Sequence, residues 1–172
     1  MVLETERLIL EKWEPSDWEV FRPIATDPEV MRYITGGVPW TDEQIKAFVN
    51  RESQRYVERG YCRWRLLLKP GGEFIGFCGV GSFRDYPEPE IGWWLAPAYW
   101  GRGLATEAAT VALRDALERV GLRRIVSVAR PENVASTHIM EKIGLRLETP
   151  FEYDGLQLVR YAISRDPSPI NR

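Results

Sequence analysis

The sequence predicts one domain of mixed α/β class, and three observations carry that reading. The predicted elements run strand, helices, an antiparallel series of three strands, then helix, strand, helix and two closing strands, which is too irregular for a doubly wound parallel sheet. The chain has 172 residues, is 44% hydrophobic and carries seven tryptophans, which is enough to bury a substantial core. No internal repeat or linker divides it, so residues 1–164 read as the domain and 165–172, RDPSPINR, as a mobile tail without a packing pattern.

The elements follow in order. Residues 7–13, RLILEKW, alternate as a first strand, with Leu8 and Leu10 on one face. Asp17 is placed to cap a helix through about residue 26, and Asp27 with Pro28 opens a second helical piece, DPEVMRYI. After the flexible TGGVPW, Thr41 followed by Gln44 forms a capping-box signature. Ile45, Phe48, Val49 and Tyr56 then give that helix an apolar face as far as Gly60.

Trp64, Leu66 and Leu68 alternate with Arg63 and Arg65. The turn KPGG returns the chain as FIGFCGVGSF, so the two segments read as a hairpin. Another strand, EIGWWL, occupies residues 90–95. From Ala105 a stripe of Ala108, Ala109, Ala112, Leu113, Ala116 and Leu117 marks a helix able to lie close against a sheet, closed by Gly121. Residues 123–129 read as a buried strand, 134–143 as a helix ending at Gly144. Strands at about 145–150 and 156–163 flank an Asp154-Gly155 turn.

The stretch AYWGRGLATEAA, residues 98–109, sets two glycines around an arginine directly ahead of a helix. From Gly101 to Thr106 no proline interrupts, so six consecutive residues bring a backbone N–H to a helix start. There the first N–H groups lack intrahelical partners and the dipole favours an anion. Gly101 and Gly103 admit a phosphate without side-chain clash, Arg102 adds guanidinium donors, and the guest this arrangement suits is a phosphate or pyrophosphate. Pro97 has no N–H with which to extend the ladder from residues 90–95, so the end of that strand is free to part from its neighbour.

Composition narrows the partners. A net charge of −2 with both signs interspersed gives no electrostatic case for nucleic acid. Two cysteines, Cys62 and Cys78, and one histidine, His138, are too few and too far apart for a metal site, and the thiols read as packed and reduced. His138 has no triad partner near it in sequence and reads as structural. MVLETERLIL carries charges where a signal peptide needs an apolar core, and no run of about 18 apolar residues exists, so no membrane association and a cytoplasmic location are expected.

Trp100-Gly101-Arg102-Gly103-Leu104-Ala105 resembles the acyl-CoA pyrophosphate loop of the GCN5-related N-acetyltransferase (GNAT) superfamily, with tryptophan in place of that pattern's first Gln or Arg. YWGRGLATEA looks like the branch containing the ribosomal-protein N-terminal acetyltransferases. The resemblance extends over TERLIL at 5–10, DPEVMRYI, EIGWWL and ENVASTHIMEKIGL at 132–145, in the right order. It implies a GNAT-like fold: a central mixed, mostly antiparallel sheet with a splayed strand pair and flanking helices.

The resemblance also implies transfer of an acetyl group from acetyl-CoA, as cosubstrate, to a primary amine, either a protein N-terminal α-amine or a small molecule, and it is compatible with a homodimer. By the same likeness Gly101, Arg102, Gly103, Leu104, Ala105 and Thr106 hold the pyrophosphate, and Asn133 meets the pantetheine arm unless it is simply a helix cap. The N–H of Trp94 or Leu95 serves as oxyanion donor, and the same two positions run beside the pantetheine arm of the cofactor. Glu90, at the start of its strand, is the favoured base, with Asp85 and Glu88 as neighbouring candidates. Ser136 stands near the leaving sulfur, because Met140 occupies the position where many members carry an acidic tyrosine.

Tyr33 and Trp40 flank the Gly36-Gly37 break, so residues 31–40 are expected on the acceptor side, while the other tryptophans read mostly as core. Two rivals stand beside the transferase. A nucleotide-binding oxidoreductase would explain a strand followed by GRGLAT and a helix, but Thr106 sits where its third glycine belongs. A non-catalytic acyl-CoA-binding module would explain Trp100 and Met140.

Overall fold

Alternating apolar residues build a sheet of eight strands. In the computed structural model, which describes residues 1–165, these are β1 (Val2–Glu4), β2 (Leu8–Glu11), β3 (Arg63–Leu68), β4 (Glu73–Ser82), β5 (Pro89–Leu95), β6 (Arg124–Ala129), β7 (Arg146–Tyr153) and β8 (Leu156–Ser164). Their spatial order is β1-β2-β3-β4-β5-β6-β8-β7. Every neighbouring pair is antiparallel except β5 and β6, which run parallel and pair at one position, Glu90 with Val126. The splayed, mostly antiparallel sheet expected from the sequence is therefore present.

Among the described residues five α-helices accompany the sheet: α1 (Trp18–Ala25), α2 (Pro28–Met31), α3 (Asp42–Arg59), α4 (Leu104–Glu118) and α5 (Val134–Lys142). Thr41 and Gln44 close the capping box at the start of α3, each side chain bonding the other's backbone N–H. Asp27 caps α2 through Glu29 N and Val30 N. Asp17 is a correction. It precedes α1 but makes no side-chain cap bond to it; its carboxylate accepts instead from Glu14 N and from Arg65 on β3.

Two further boundaries differ from the sequence reading. Helix α4 stops at Glu118, capped by Arg119, and Gly121 lies beyond it. Strand β1 went unforeseen, because its three residues sit on the edge of the sheet in a charged stretch. The Asp154-Gly155 turn is as expected, with both residues at positive φ, +53° and +73°, the geometry of a two-residue hairpin turn. Of the stretch read as a tail, Arg165 donates its N–H to Arg123 O at 2.8 Å and a guanidinium N–H to Leu117 O; residues 166–172 lie outside the described residues.

The period-2 pleat sends neighbouring residues to different cores. On β4 and β5, Phe77 and Trp94 face α1 and α3, joining Trp13, Phe21 and Phe48 in an aromatic cluster. Cys78 and Trp93 face α4, whose Ala108, Ala109, Ala112 and Ala116 are buried and let the helix lie close to the sheet. Trp13 and Trp64 are core residues, as the sequence suggests. Both cysteines are buried and free.

Strands β4 and β5 approach so closely at Gly76 that a Cβ there would lie 2.0 Å from Trp94 O and 2.9 Å from Leu95 Cα, at a φ of +144°. Gly76→Ala should therefore lower stability by about 3 kcal/mol. Urea unfolding checks this: the midpoint falls while the slope is retained, and an unmoved midpoint contradicts so close an approach of the two strands.

Candidate active site

Where β6 leaves β5, the ladder ends and a cleft of about 1090 Å³ begins, lined from both strands and from the starts of α4 and α5. Ala96 N donates to Ile75 O on β4, and in a strand N–H groups alternate sides, so Trp94 N–H also points to β4 while those of Trp93 and Leu95 point to the gap. The carbonyl of Leu95 points the same way and accepts the indole N–H of Trp100 at 2.8 Å. That bond gives a structural task to Trp100, a residue that is 49% exposed.

Side chains replace the missing ladder at the fork. Ser127 Oγ, buried, donates to Ile91 O at 2.8 Å, and Val128 N donates to Glu90 Oε2 at 3.4 Å. The other carboxylate oxygen of Glu90 accepts from Arg63, a partner that no local sequence signal announces. Burial pushes the Glu90 carboxyl above the usual glutamate range. The charge of Arg63 and the hydrogen bonds from Val128 and Arg63 pull it down by less.

The glycine loop is built as an open anion cradle. Gly101 and Gly103 stand at φ +71° and +75°, values that favour glycine, and beyond its chain neighbours no described residue places a heavy atom within 4 Å of where a Gly101 Cβ would be. The first backbone bond of α4 runs from Glu107 N to Gly103 O. Among the described residues, the six N–H groups from Gly101 to Thr106 find no acceptor in the protein. The sequence supplies the count of these donors but not what fixes them. Arg7 donates to Arg102 O at 2.9 Å and pairs with Glu107, which also accepts from Thr5, so the turn between β1 and β2 pins the loop.

The remaining candidates are distributed along the cleft. Asn133 caps α5, accepting from Ser136 N at 3.3 Å, and both residues line the cleft. Met140 is buried in the α4-side core. His138 lies on the exposed face of α5 and at the cleft margin. Glu88 is engaged by Arg124 and Tyr86, and Asp85 is not among the cleft's lining residues. Tyr33 and Trp40 do line the cleft, with Trp40 4.8 Å from Trp94 between ring centroids.

This geometry offers N–H donors for a diphosphate, a strand gap that admits a narrow arm, and a buried carboxylate beside it: the equipment of a coenzyme A-dependent acyltransferase. Comparison with known proteins agrees. The family profile described as the acetyltransferase (GNAT) domain matches residues 7–146. The chain is 34% identical to the uncharacterised N-acetyltransferase YnaD of Bacillus subtilis, over 88% of this chain and 86% of that one. The crystal structure of a GNAT-family acetyltransferase from Bacillus anthracis superposes with a TM-score of 0.79 at 31% identity, covering 95% of this chain and 98% of that one. The fold is also that of the ribosomal L7/L12 alpha-N-protein acetyltransferase RimL, solved in complex with coenzyme A (TM-score 0.79, 18% identity, 96% and 99% covered).

The chain belongs to the GNAT acetyltransferase family. It is an N-acetyltransferase that uses acetyl-CoA to acetylate an amine. The oxidoreductase alternative falls with that result, and a sheet with one parallel pair lacks a dinucleotide-binding half. Among the described residues no helix is long and apolar enough to cross a membrane.

The carboxylates of this site titrate in opposite directions. Partial burial pushes Glu107 up, but the bonds from Thr5 and Arg7 outweigh it and hold it low. Its stabilising contribution is present above the unfolded pKa and is lost as pH falls through the folded one. Glu90 has the other sign: the folded state holds its proton more tightly, so its contribution to stability declines as pH rises from the ordinary range through the raised value. Carboxyl ¹³C NMR should show Glu90, assigned by its loss in Glu90→Gln, titrating above the ordinary glutamate value of 4.5 and Glu107 below it. A Glu90 midpoint at or below 4.5 means that pairing with Arg63 outweighs burial, the reverse of this balance.

Proposed function

We propose that the chain acetylates a primary amine by direct attack within a ternary complex, with the residues of the fork and the glycine loop dividing the work. The single observation that carries this reading is the row of six unbonded N–H groups, Gly101 to Thr106, of which all but that of Arg102 belong to residues lining the same cleft as Glu90. When bound, acetyl-CoA supplies the thioester whose acetyl carbon bonds to the amine nitrogen as the C–S bond breaks. The residues 101–106 hold its pyrophosphate, with Arg102 adding charge. Asn133 supports the arm through the amide N–H groups its capping oxygen leaves over.

Of the two candidate oxyanion donors, Leu95 is the one this reading uses, since alternation turns its N–H to the gap and that of Trp94 to β4; the Trp94 indole instead lines the acceptor wall. Glu90 takes the proton that the attacking ammonium must lose, directly or through one water. Its raised pKa supports this role, because a base too acidic holds protons poorly near neutral pH. Ser136 donates a hydrogen bond to the departing sulfur, which leaves as the thiolate and becomes the thiol on taking up the second proton that the amine nitrogen sheds as the amide forms.

The same reading sets the acceptor against residues 31–40, where Tyr33 and Trp40 wall the cleft, and includes both amine classes that the resemblance suggests. It places the enzyme in the cytoplasm, supported by two free thiols, and carries the homodimer as an expectation that sedimentation checks.

Glu90→Gln should lower kcat by about 100-fold, the lower part of what a general base contributes, and flatten the acid limb of the kcat–pH profile. Gly101→Ala forces an L-residue toward left-handed backbone and should raise the Kd for coenzyme A about tenfold. Thiol release and isothermal titration calorimetry measure the two. A Glu90→Gln enzyme of normal kcat removes Glu90 as base, and an unaltered Kd in Gly101→Ala removes the loop as the diphosphate site.

A further inference from the structure

The acceptor half of the cleft is dominated by guanidinium groups. Arg32, Arg51, Arg55, Arg63 and Arg84 line it. The carboxylates that line it are Glu29 and Glu90, and Glu90 is already taken by Arg63.

The centre of this group is built into the sheet. Glu52 on α3 is fully buried and accepts from Arg55 and from Arg63 N at 2.9 Å, and the Arg51 guanidinium forms an ion pair with it at 3.7 Å. The Arg55 guanidinium also donates to Ser82 Oγ at 2.9 Å. Beneath them Gly81 has an ordinary φ, so its backbone does not require glycine. What it provides is space: a Cβ there would lie 2.9 Å from Arg63 Nε and 3.0 Å from Arg55 Nη1, so the two guanidinium groups would have to shift. A glycine at 81 thus leaves room for two cations to converge on the cleft wall.

These cations are under-neutralised. Arg51, Arg55 and Arg63 share two carboxylates, Glu52 and Glu90, and Arg63 Nε is buried with no acceptor among the described residues. Arg51 is the member with donors to spare. Its side chain is 53% exposed, its one carboxylate contact among the described residues is the 3.7 Å approach to Glu52, and it stacks 5.5 Å from the Phe48 ring. Burial and the neighbouring charges of Arg63 and Arg55 lower its pKa, with Glu52 opposing. Arg51, Arg55 and Ser82 also border a second, polar recess of about 200 Å³ that opens beside the cleft. A group that extends past the reacting amine therefore reaches guanidinium donors on both sides of one wall.

We infer that the acceptor is a primary amine that also bears an anionic group, a carboxylate in the first instance, which the Arg51, Arg55 and Ser82 wall receives. This rests on the acetyl-transfer reading above and specifies its substrate class. A polyamine is disfavoured by the excess of the same charges: against five guanidinium groups the cleft offers Glu29 and the Arg63-bound Glu90, and the one carboxylate of the recess, Glu58, stands with Arg51, Arg55 and Arg59. The bidentate donors of an arginine match a carboxylate in geometry as well as charge.

The test measures thiol release from acetyl-CoA with three five-carbon amines that differ at the far end: 5-aminopentanoate, pentylamine and cadaverine. A second arm compares peptides beginning Ser-Asp-Asp and Ser-Lys-Lys, which separates a polypeptide source of the anion from a small molecule. The acid-bearing member of at least one arm should exceed its cationic counterpart in kcat/KM by about 10- to 100-fold, the range one charge-assisted hydrogen bond supplies. In Arg51→Glu, with folding checked by thermal melting, that preference should fall at least about tenfold or invert. Turnover with equal or cationic preference in both arms overturns the inference while leaving acetyl transfer standing, as does an Arg51→Glu enzyme with the preference unchanged. Absence of turnover with every amine overturns both.

Discussion

The constraint on which the rest of the structure depends is the fork between β5 and β6. Two adjacent strands that pair once, at Glu90 and Val126, leave backbone groups facing a gap, and unsatisfied polar backbone is costly unless something meets it. At the closed end the protein meets it with side chains: Ser127 on Ile91 O, Glu90 on Val128 N, and, further out, the Trp100 indole on Leu95 O. Beyond these, the N–H of Leu95 points into open cleft. A ligand with an amide-bearing arm suits such a gap because it supplies the acceptors and donors that a neighbouring strand would have supplied.

The fork also determines the electrostatics around it. Glu90 sits where the two strands part, so it is buried and yet lines the cleft, and Arg63 from two strands away is what compensates its charge. Arg63 in turn joins Arg51 and Arg55 around the buried Glu52 of α3. The base, the acceptor wall and the helix that carries it are thus one connected network. At the opposite end of the cleft, Arg7 and Glu107 hold the glycine loop to the turn between β1 and β2, so its free N–H groups are presented on a fixed frame. Preorganised donors of this sort need no rearrangement when charge arrives.

Much of this was legible in the sequence where the physics is local. The Thr41–Gln44 capping box, the Asp154-Gly155 turn, the alternation of β3 and β4, and the alanine face of α4 each declare themselves within a few residues. The cradle was legible for the same reason: glycines at positive φ and the unpaired start of a helix are short-range features. The pairs that tune the site were not. Arg63 with Glu90 is separated by 27 residues and Arg7 with Glu107 by 100, and charged side chains in a strand or first turn carry no mark of their eventual partner. Asp17 shows the converse, a good local cap signal overridden by Arg65 and Glu14 N. Neither was the choice between Trp94 and Leu95 readable, because it depends on which side of β5 faces β4.

Hydrogen–deuterium exchange with and without coenzyme A tests the account at its centre. Added coenzyme A should slow exchange at the amides of residues 101–106 and of Leu95, the donors the protein itself leaves unused, while Trp94, bonded toward β4, changes little. Saturating coenzyme A that leaves residues 101–106 exchanging as before, or that protects amides elsewhere instead, contradicts it.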